Sequence, residues 1–189
     1  MKNKLAIFDL DGTLFNTTKV NFMAYARAIR QSGFIMDLDL FQFRDISSGR
    51  GFNFFLPQLI PGISTHEMQE IHQAKQDCYN QYLQFAIKNE HLFSLISALA
   101  NTYVIALVTT ASIKNVQDIL NYFEVNDSFD YIITQEDVQF QKPSPEGFLK
   151  AIEIAKVLVN DVLIFEDSDV GIEAAKLSGA KFVKVYGYN

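Results

Sequence analysis

Residues 5 to 14, Leu5-Ala6-Ile7-Phe8-Asp9-Leu10-Asp11-Gly12-Thr13-Leu14, change character halfway along. Leu5 to Phe8 is a continuous apolar run, as a parallel strand buried on both faces requires. It breaks into two aspartates one residue apart, followed by a glycine. Strand side chains repeat every two residues, so Asp9 and Asp11 leave on the same side, with Cα atoms roughly 6–7 Å apart. Carboxylates that close repel each other unless a cation lies beside them or one keeps a proton. Gly12 permits a tight turn that lets backbone approach a ligand.

Further along, the same unit of apolar strand, polar end and helix recurs. Leu92 to Leu99 suits a helix, and Tyr103-Val104-Ile105-Ala106-Leu107-Val108 is the longest buried-strand run. That run ends at Thr109-Thr110-Ala111-Ser112, and a helix from Ile113 to Phe123 comes next. Tyr131 to Thr134 reads as a third strand. Lys142-Pro143 leads into a helix with Ser144 at the N-cap and Pro145 at the first helical position, running to about Leu158. Val162 to Phe165 is a fourth strand, ending in Glu166-Asp167. Asp169 caps a helix that Gly179 closes, and Lys181 to Tyr186 is a fifth strand. Apolar strands each followed by a helix predict an α/β, Rossmann-like fold, a parallel sheet with helices on both faces. Ligands of such sheets bind at the carboxyl ends of the strands. The acids, threonines and lysine named above all leave from those ends or from the loops just beyond.

Between the first strand and this alternation lies a block that is helical throughout. A helix begins at Thr17 or Thr18 and stops at Gly33, and a second runs from Asp39 through Ile46. Ser47-Ser48-Gly49-Arg50-Gly51 is a loop by composition. Phe52, Phe54, Phe55, Leu56, Leu59 and Ile60 form an apolar cluster broken by Pro57. Ser64-Thr65-His66-Glu67 has the spacing of a capping box, and the apolar spacing behind it predicts one long amphipathic helix through Phe85, with Lys75 between Ile71 and Cys78. The expected organisation is therefore an α/β core of residues 1–15 and 87–189, with residues 16–86 inserted as a small α-helical cap.

The bulk properties agree with one domain carrying a sizeable insertion. The chain has 189 residues, 49% of them hydrophobic, enough for a true core. A net charge of −6 with no basic cluster argues against nucleic acid as a partner. The single cysteine, Cys78, excludes an intrachain disulfide and suits a reducing compartment. The first apolar run is cut by Asp9 after four residues, too short for a signal peptide or a membrane span. A soluble, cytoplasmic monomer is expected.

The segment Asp9-Leu10-Asp11-Gly12-Thr13-Leu14 resembles the first motif of the haloacid-dehalogenase-like (HAD) hydrolase superfamily. Thr109 stands where that superfamily carries its second motif. Gln141-Lys142-Pro143-Ser144-Pro145-Glu146 resembles the third, and Glu166-Asp167-Ser168 with Gly171-Ile172-Glu173-Ala174-Ala175 the fourth. The resemblance covers about residues 4–186, and by position and helicity the inserted block is similar to the cap of the first cap subclass, in the phosphatase and phosphomutase branch. It implies Asp9 as nucleophile and Asp11 as general acid/base. It also implies Thr109 as a hydrogen-bond donor to phosphate, with Thr110 as an alternate. Lys142 would act as a point charge against the phosphoryl group. Mg²⁺ would be held by Asp9, the backbone carbonyl of Asp11 and Asp167, with Glu166 in a supporting or water-mediated place. Two departures stand out. Asn16 occupies a position where the pattern often has Asp, and the chain stops at Asn189, where relatives usually continue, so one sheet edge is expected to be short.

Phosphoryl transfer needs a nucleophile, a proton donor for the leaving oxygen and positive charge around the transferred group. Each has a candidate here. The expected activity is Mg²⁺-dependent hydrolysis of a small phosphorylated metabolite (a sugar phosphate, a phosphoglycolate-like compound or a nucleotide) through an aspartyl-phosphate. A sugar phosphomutase of the β-phosphoglucomutase type is the alternative, and a catalytically silent phosphometabolite-binding module is a third reading. On the cap side, Arg50 is the cation expected to reach substrate, and Lys114 is a further candidate near the phosphate. Phe52, Phe54 and Phe55 are available either to the leaving-group pocket or to the interior of the cap.

Overall fold

In the computed structural model, which describes residues 2–187, Lys4–Phe8 forms strand β1 at the centre of a five-stranded parallel sheet. Chain order continues with the two-residue strand β2 (Phe15–Asn16) and then helices α1 (Thr18–Gln31), α2 (Leu40–Ser47), α3 (Phe52–Leu59) and α4 (Thr65–Cys78). A second two-residue strand, β3 (Ile87–Lys88), and helix α5 (Glu90–Leu99) return the chain to the sheet. Strand and helix then alternate as β4 (Tyr103–Val108), α6 (Ile113–Tyr122), β5 (Tyr131–Ile133), α7 (Glu146–Ala155), β6 (Val162–Glu166), α8 (Asp169–Ser178) and β7 (Lys181–Lys184). The order across the sheet is β5-β4-β1-β6-β7. The chain therefore builds outward from β1 on one side, crosses back and builds on the other. That reversal places a crevice at the carboxyl end of β1.

Alternation along β1 divides the interior. Ala6 and Phe8 join Ile105, Leu107 and Phe165 under α5 and α6, whereas Leu5 and Ile7 join Ala106, Val108 and Ile164 under α7 and α8. A third cluster belongs to the helical block, where Tyr25, Ala28, Ile29, Phe43, Phe55, Leu56 and Ile71 pack together. The antiparallel pair β2/β3, with Phe15 opposite Lys88 and Asn16 opposite Ile87, lies where the chain leaves the sheet for this block and returns. No helix among the described residues is long and apolar enough to cross a membrane.

Several local expectations need correcting. The long helix stops being α-helical at Cys78 and tightens into a 3₁₀ segment, Tyr79–Phe85. The tighter winding turns Tyr79 and Leu83 into the cluster beneath the sheet. Pro57 does not break the apolar cluster but sits inside α3. The carbonyl it leaves without a helical donor is that of Asn53, an exposed residue. Pro145, not Ser144, is the N-cap of α7, and that helix ends at Ala155 because Lys156 turns left-handed (φ 54°). Ser168 rather than Asp169 caps α8, its Oγ accepting from the Gly171 amide at 3.0 Å. The fifth sheet strand ends at Lys184, two residues early. The capping box of α4 forms as expected, with the Ser64 hydroxyl accepting from the Glu67 amide at 3.2 Å. Residues 188 and 189 lie outside the described part of the chain.

Phe8 and Phe165 are stacked at 4.6 Å between ring centroids, both buried, directly beneath the acids that end β1 and β6. Phe8→Ala is expected to cost about 3–5 kcal/mol in urea unfolding, through lost transfer free energy plus the cavity left behind. A loss below about 1 kcal/mol would mean that these rings do not hold the two strands in register.

Candidate active site

Where β1 and β6 end, three carboxylates converge. One oxygen from each of Asp9, Glu166 and Asp167 lies within 4.8 Å of the others. The Lys142 ammonium enters from the loop before α7, bonded at 2.6 Å to Asp9 Oδ1 and at 2.6 Å to Glu166 Oε2. Glu166 Oε1 accepts from the Ser168 amide (3.0 Å) and hydroxyl (2.8 Å), so both of its oxygens are engaged by protein donors. Asp9 and Asp167 differ. Each has one oxygen held, Asp9 by Lys142 and Asp167 by the Thr13 hydroxyl at 3.0 Å, and one oxygen without a donor among the described residues.

The electrostatics are unbalanced, with two buried acids and the half-buried Asp167 facing one lysine whose side chain is buried. Burial, and then the Glu166 charge, hold Asp9 well above the ordinary carboxylate range despite Lys142. The same two causes push Asp167 up to about 7. Burial pulls Lys142 down, but Asp9 and Glu166 outweigh it, and its pKa stands above the usual lysine value. A hard divalent cation taking the two spare oxygens would relieve this charge, and an all-oxygen donor set with few carboxylates fits Mg²⁺. The turn is shaped to bring these groups together. Gly12 has φ 94°, and a Cβ there would collide with the Asp167 carboxylate, so only glycine lets the two loops meet.

Asp11 is kept apart from the triad. Its Oδ1 accepts from the Thr17 hydroxyl and, at 3.2 Å, from Asn21 Nδ2, both at the start of α1. The two acids of the opening motif thus occupy different surroundings, Asp9 among charges and Asp11 among neutral donors. Thr109 is buried at the end of β4, its Oγ1 accepting from the Ala111 amide at 3.1 Å. It borders a small pocket of about 20 Å³ with Lys142, whereas Thr110 borders the main cavity.

That cavity, of about 150 Å³, lies between the sheet edge and the helical block, with Asp9, Asp11, Gly12 and Asp167 on the sheet side. Arg50 lines it, with its guanidinium 4.3 Å from the Phe54 ring. Phe52 and Phe55 line it too, whereas Phe54 is half exposed. Lys114 is not in its wall. Its ammonium donates to the Gln76 carbonyl (2.9 Å) and Asp118 (3.1 Å), tying α6 to α4 instead of facing the acids; two residues past Ser112, it leaves from roughly the opposite side of the first turn of α6.

Several cavity residues carry no short motif and were not singled out by sequence. Tyr25 Oη lies 2.9 Å from His72 Nδ1, and His72 Nε2 faces the amides of Gln76 (2.9 Å) and Gln135 (3.2 Å). Burial, helped by the Lys75 charge, lowers His72 to about 3, so its ring is neutral and stacked 3.9 Å from Phe52. Gln135 Oε1 is buried without a partner among the described residues. Lys75 also lines the wall. The one signal that could have marked it is a lysine at a core-facing position of an amphipathic helix.

The loop before α3 closes the cavity by direct approach. Gly49 has φ 68°, and a Cβ on it would meet the Ser168 side chain. Gly49→Ala is expected to lift this loop, speeding amide exchange at residues 48–51 and 168–171 at least tenfold with little change in global stability. Unchanged exchange would show that the approach is not tight.

Comparison with known proteins agrees with this arrangement. A family model described as haloacid dehalogenase-like hydrolase matches residues 6–185. A phosphorylated carbohydrates phosphatase of Thermotoga maritima is 27% identical over 188 residues, covering 96% of this chain and 83% of that one. A phosphoglycolate phosphatase of Vibrio vulnificus is 28% identical over 198 residues, covering 98% and 85%. In fold, the chain is similar to CbbY from Rhodobacter sphaeroides, solved in complex with phosphate, with TM-score 0.86, 23% identity and coverage of 98% and 87%. With a family model spanning nearly the whole chain and its acids and lysine gathered at one rim of the sheet, this protein belongs to the haloacid dehalogenase-like hydrolase family.

Proposed function

We propose that this protein is a Mg²⁺-dependent phosphatase that releases inorganic phosphate from a small phosphorylated metabolite through an aspartyl-phosphate. The observation that carries this reading is the convergence of Asp9, Lys142 and Asp167 at one end of the sheet, with unshared oxygens on the two aspartates. Relatives whose names specify phosphorylated carbohydrates and phosphoglycolate support it.

The Asp9 carboxylate attacks phosphorus and the ester P–O bond breaks. Asp11 gives its proton to the departing oxygen, and Thr17 and Asn21 hold its carboxyl group in place. Water then attacks the phosphorus, Asp11 takes the water's proton, and the bond to Asp9 breaks to free phosphate and restore the carboxylate. Lys142 holds Asp9 in place and offsets charge on the transferred group. Thr109 and Thr110, at the end of β4, donate to phosphate oxygens. Mg²⁺, held by the spare oxygens of Asp9 and Asp167 and the Asp11 carbonyl, would supply further positive charge at the transferred group. Glu166 keeps Lys142 and Ser168 in place rather than binding the ion itself, since both its oxygens are taken. Residues 16–86 act as a cap over the core of 1–15 and 87–189, excluding water and bringing Arg50 to the substrate. A phosphomutase would use the same groups with a sugar hydroxyl in place of the attacking water.

Phosphate release from a panel of monoesters with Mg²⁺ tests this directly. Asp9→Asn is expected to abolish turnover, and Asp11→Asn to lower kcat about 10²–10⁴-fold, both with unchanged folding. Exhaustive EDTA should remove activity and Mg²⁺ should restore it. Turnover surviving Asp9→Asn, or persisting without any divalent ion, would overturn the reading. Conversion of a hexose 1-phosphate to its 6-phosphate without phosphate release would favour the phosphomutase.

A further inference from the structure

Lys75 presents an unpaired charge inside the cavity wall. It projects from α4 and is 5% exposed, yet no carboxylate among the described residues lies within 4.0 Å of its ammonium. Its contacts are a hydrogen bond to Asn115 Oδ1 at 2.7 Å and the faces of Tyr79 (4.4 Å) and Tyr25 (5.4 Å). An ammonium removed from water without an acid is costly. Burial accordingly draws its pKa down to about 8, with Asp11 the leading opposing influence.

Geometry says where the missing anion would come from. The Asn115 bond takes one of three N–H groups and fixes the ammonium against the core helix α6, leaving two donors. Lys142, which borders the small pocket beside Thr109, is already shared by Asp9 and Glu166 and serves the end where phosphorus would sit. The remaining wall of the helical block offers Arg44, which is paired with Asp45, and Arg50, which lies over the Phe54 ring, beside the neutral groups Asn21, Tyr25 and His72, so among the described residues Lys75 is its buried cation without an acid. The cavity, of about 150 Å³, has Asp9 and Asp167 in one wall and Lys75 in another, which suits a short frame between them.

Resting on the phosphatase reading above, we propose that Lys75 receives a second anionic group on the leaving portion of the substrate. The preferred substrates are then phosphate monoesters that carry a carboxylate or another phosphate on a short carbon frame. Lys75 acts as a specificity residue, and Asn115 positions it.

The test is calorimetric titration in Mg²⁺ with three unreactive phosphonates of similar size: phosphonoacetate, methylenediphosphonate and 2-hydroxyethylphosphonate. The wild type should bind at least one of the two doubly acidic ligands ten times or more tighter than the hydroxyl-bearing one. Which of the two gains identifies carboxylate or phosphate as the group received. Lys75→Met, a straight apolar chain of similar length, should reduce that preference to threefold or less, and Lys75→Gln serves if the methionine variant fails to fold. A wild type without preference, or a variant that keeps it, overturns the proposal. Comparing ligands on one preparation cancels any difference in folded fraction. Phosphate release from 2-phosphoglycolate and 2-hydroxyethyl phosphate is measured in parallel. Release from neither these nor the wider monoester panel refutes hydrolysis, while the binding ratio still judges Lys75.

Discussion

Lys142 stands between Asp9 and Glu166, and the arrangement of the sheet's rim depends on that one ammonium. Three carboxylates this close repel one another, and it is the one cation among the described residues that is bonded to any of them. Its reach is made possible by the loop before α7 and by the adjacency of β1 and β6, whose ends deliver Asp9 and Glu166 side by side. Even so, one cation against three acids leaves the site short of positive charge. That shortage is the physical reason a divalent ion suits it, and it comes from burial, distance and count alone.

The two faces of the cavity differ in kind. The sheet side is charged and braced: Thr13 on Asp167, Ser168 on Glu166, Lys142 on two acids. The helical side is largely aromatic, with His72 touching both Tyr25 and Phe52, and its charges are Arg44, Arg50 and the buried Lys75. A charged half suits a group common to many substrates, and a varied half suits whatever distinguishes one substrate from another. Asp11 sits at the seam, bonded to Thr17 and Asn21 as the chain passes from sheet to helix.

Much of this was legible from residue order. Tyr103–Val108 was bounded as a strand by its own apolar run, and the capping box at Ser64 marked the start of α4. The convergence of Asp9, Lys142, Glu166 and Asp167 followed from strands whose polar ends share one rim. What stayed hidden was long-range. Apart from the core-facing position of Lys75 on its helix, little local separates it from Lys114, which turns to Gln76 and Asp118, because the direction each takes depends on how α4 and α6 meet. The shift to 3₁₀ winding at Tyr79 likewise answers to the sheet beneath it, not to its neighbours in sequence. Pro57 inside α3 shows tertiary packing overriding propensity.

The small ribbon of β2 and β3 has a consequence for how such a molecule can vary. Asn16 and Ile87 are paired, so the 70 intervening residues begin and end at nearly one point in space. An insert tethered this way is exchangeable: its length and composition can drift without pulling on the strands that carry the acids. One sheet can thereby carry different helical inserts over evolutionary time.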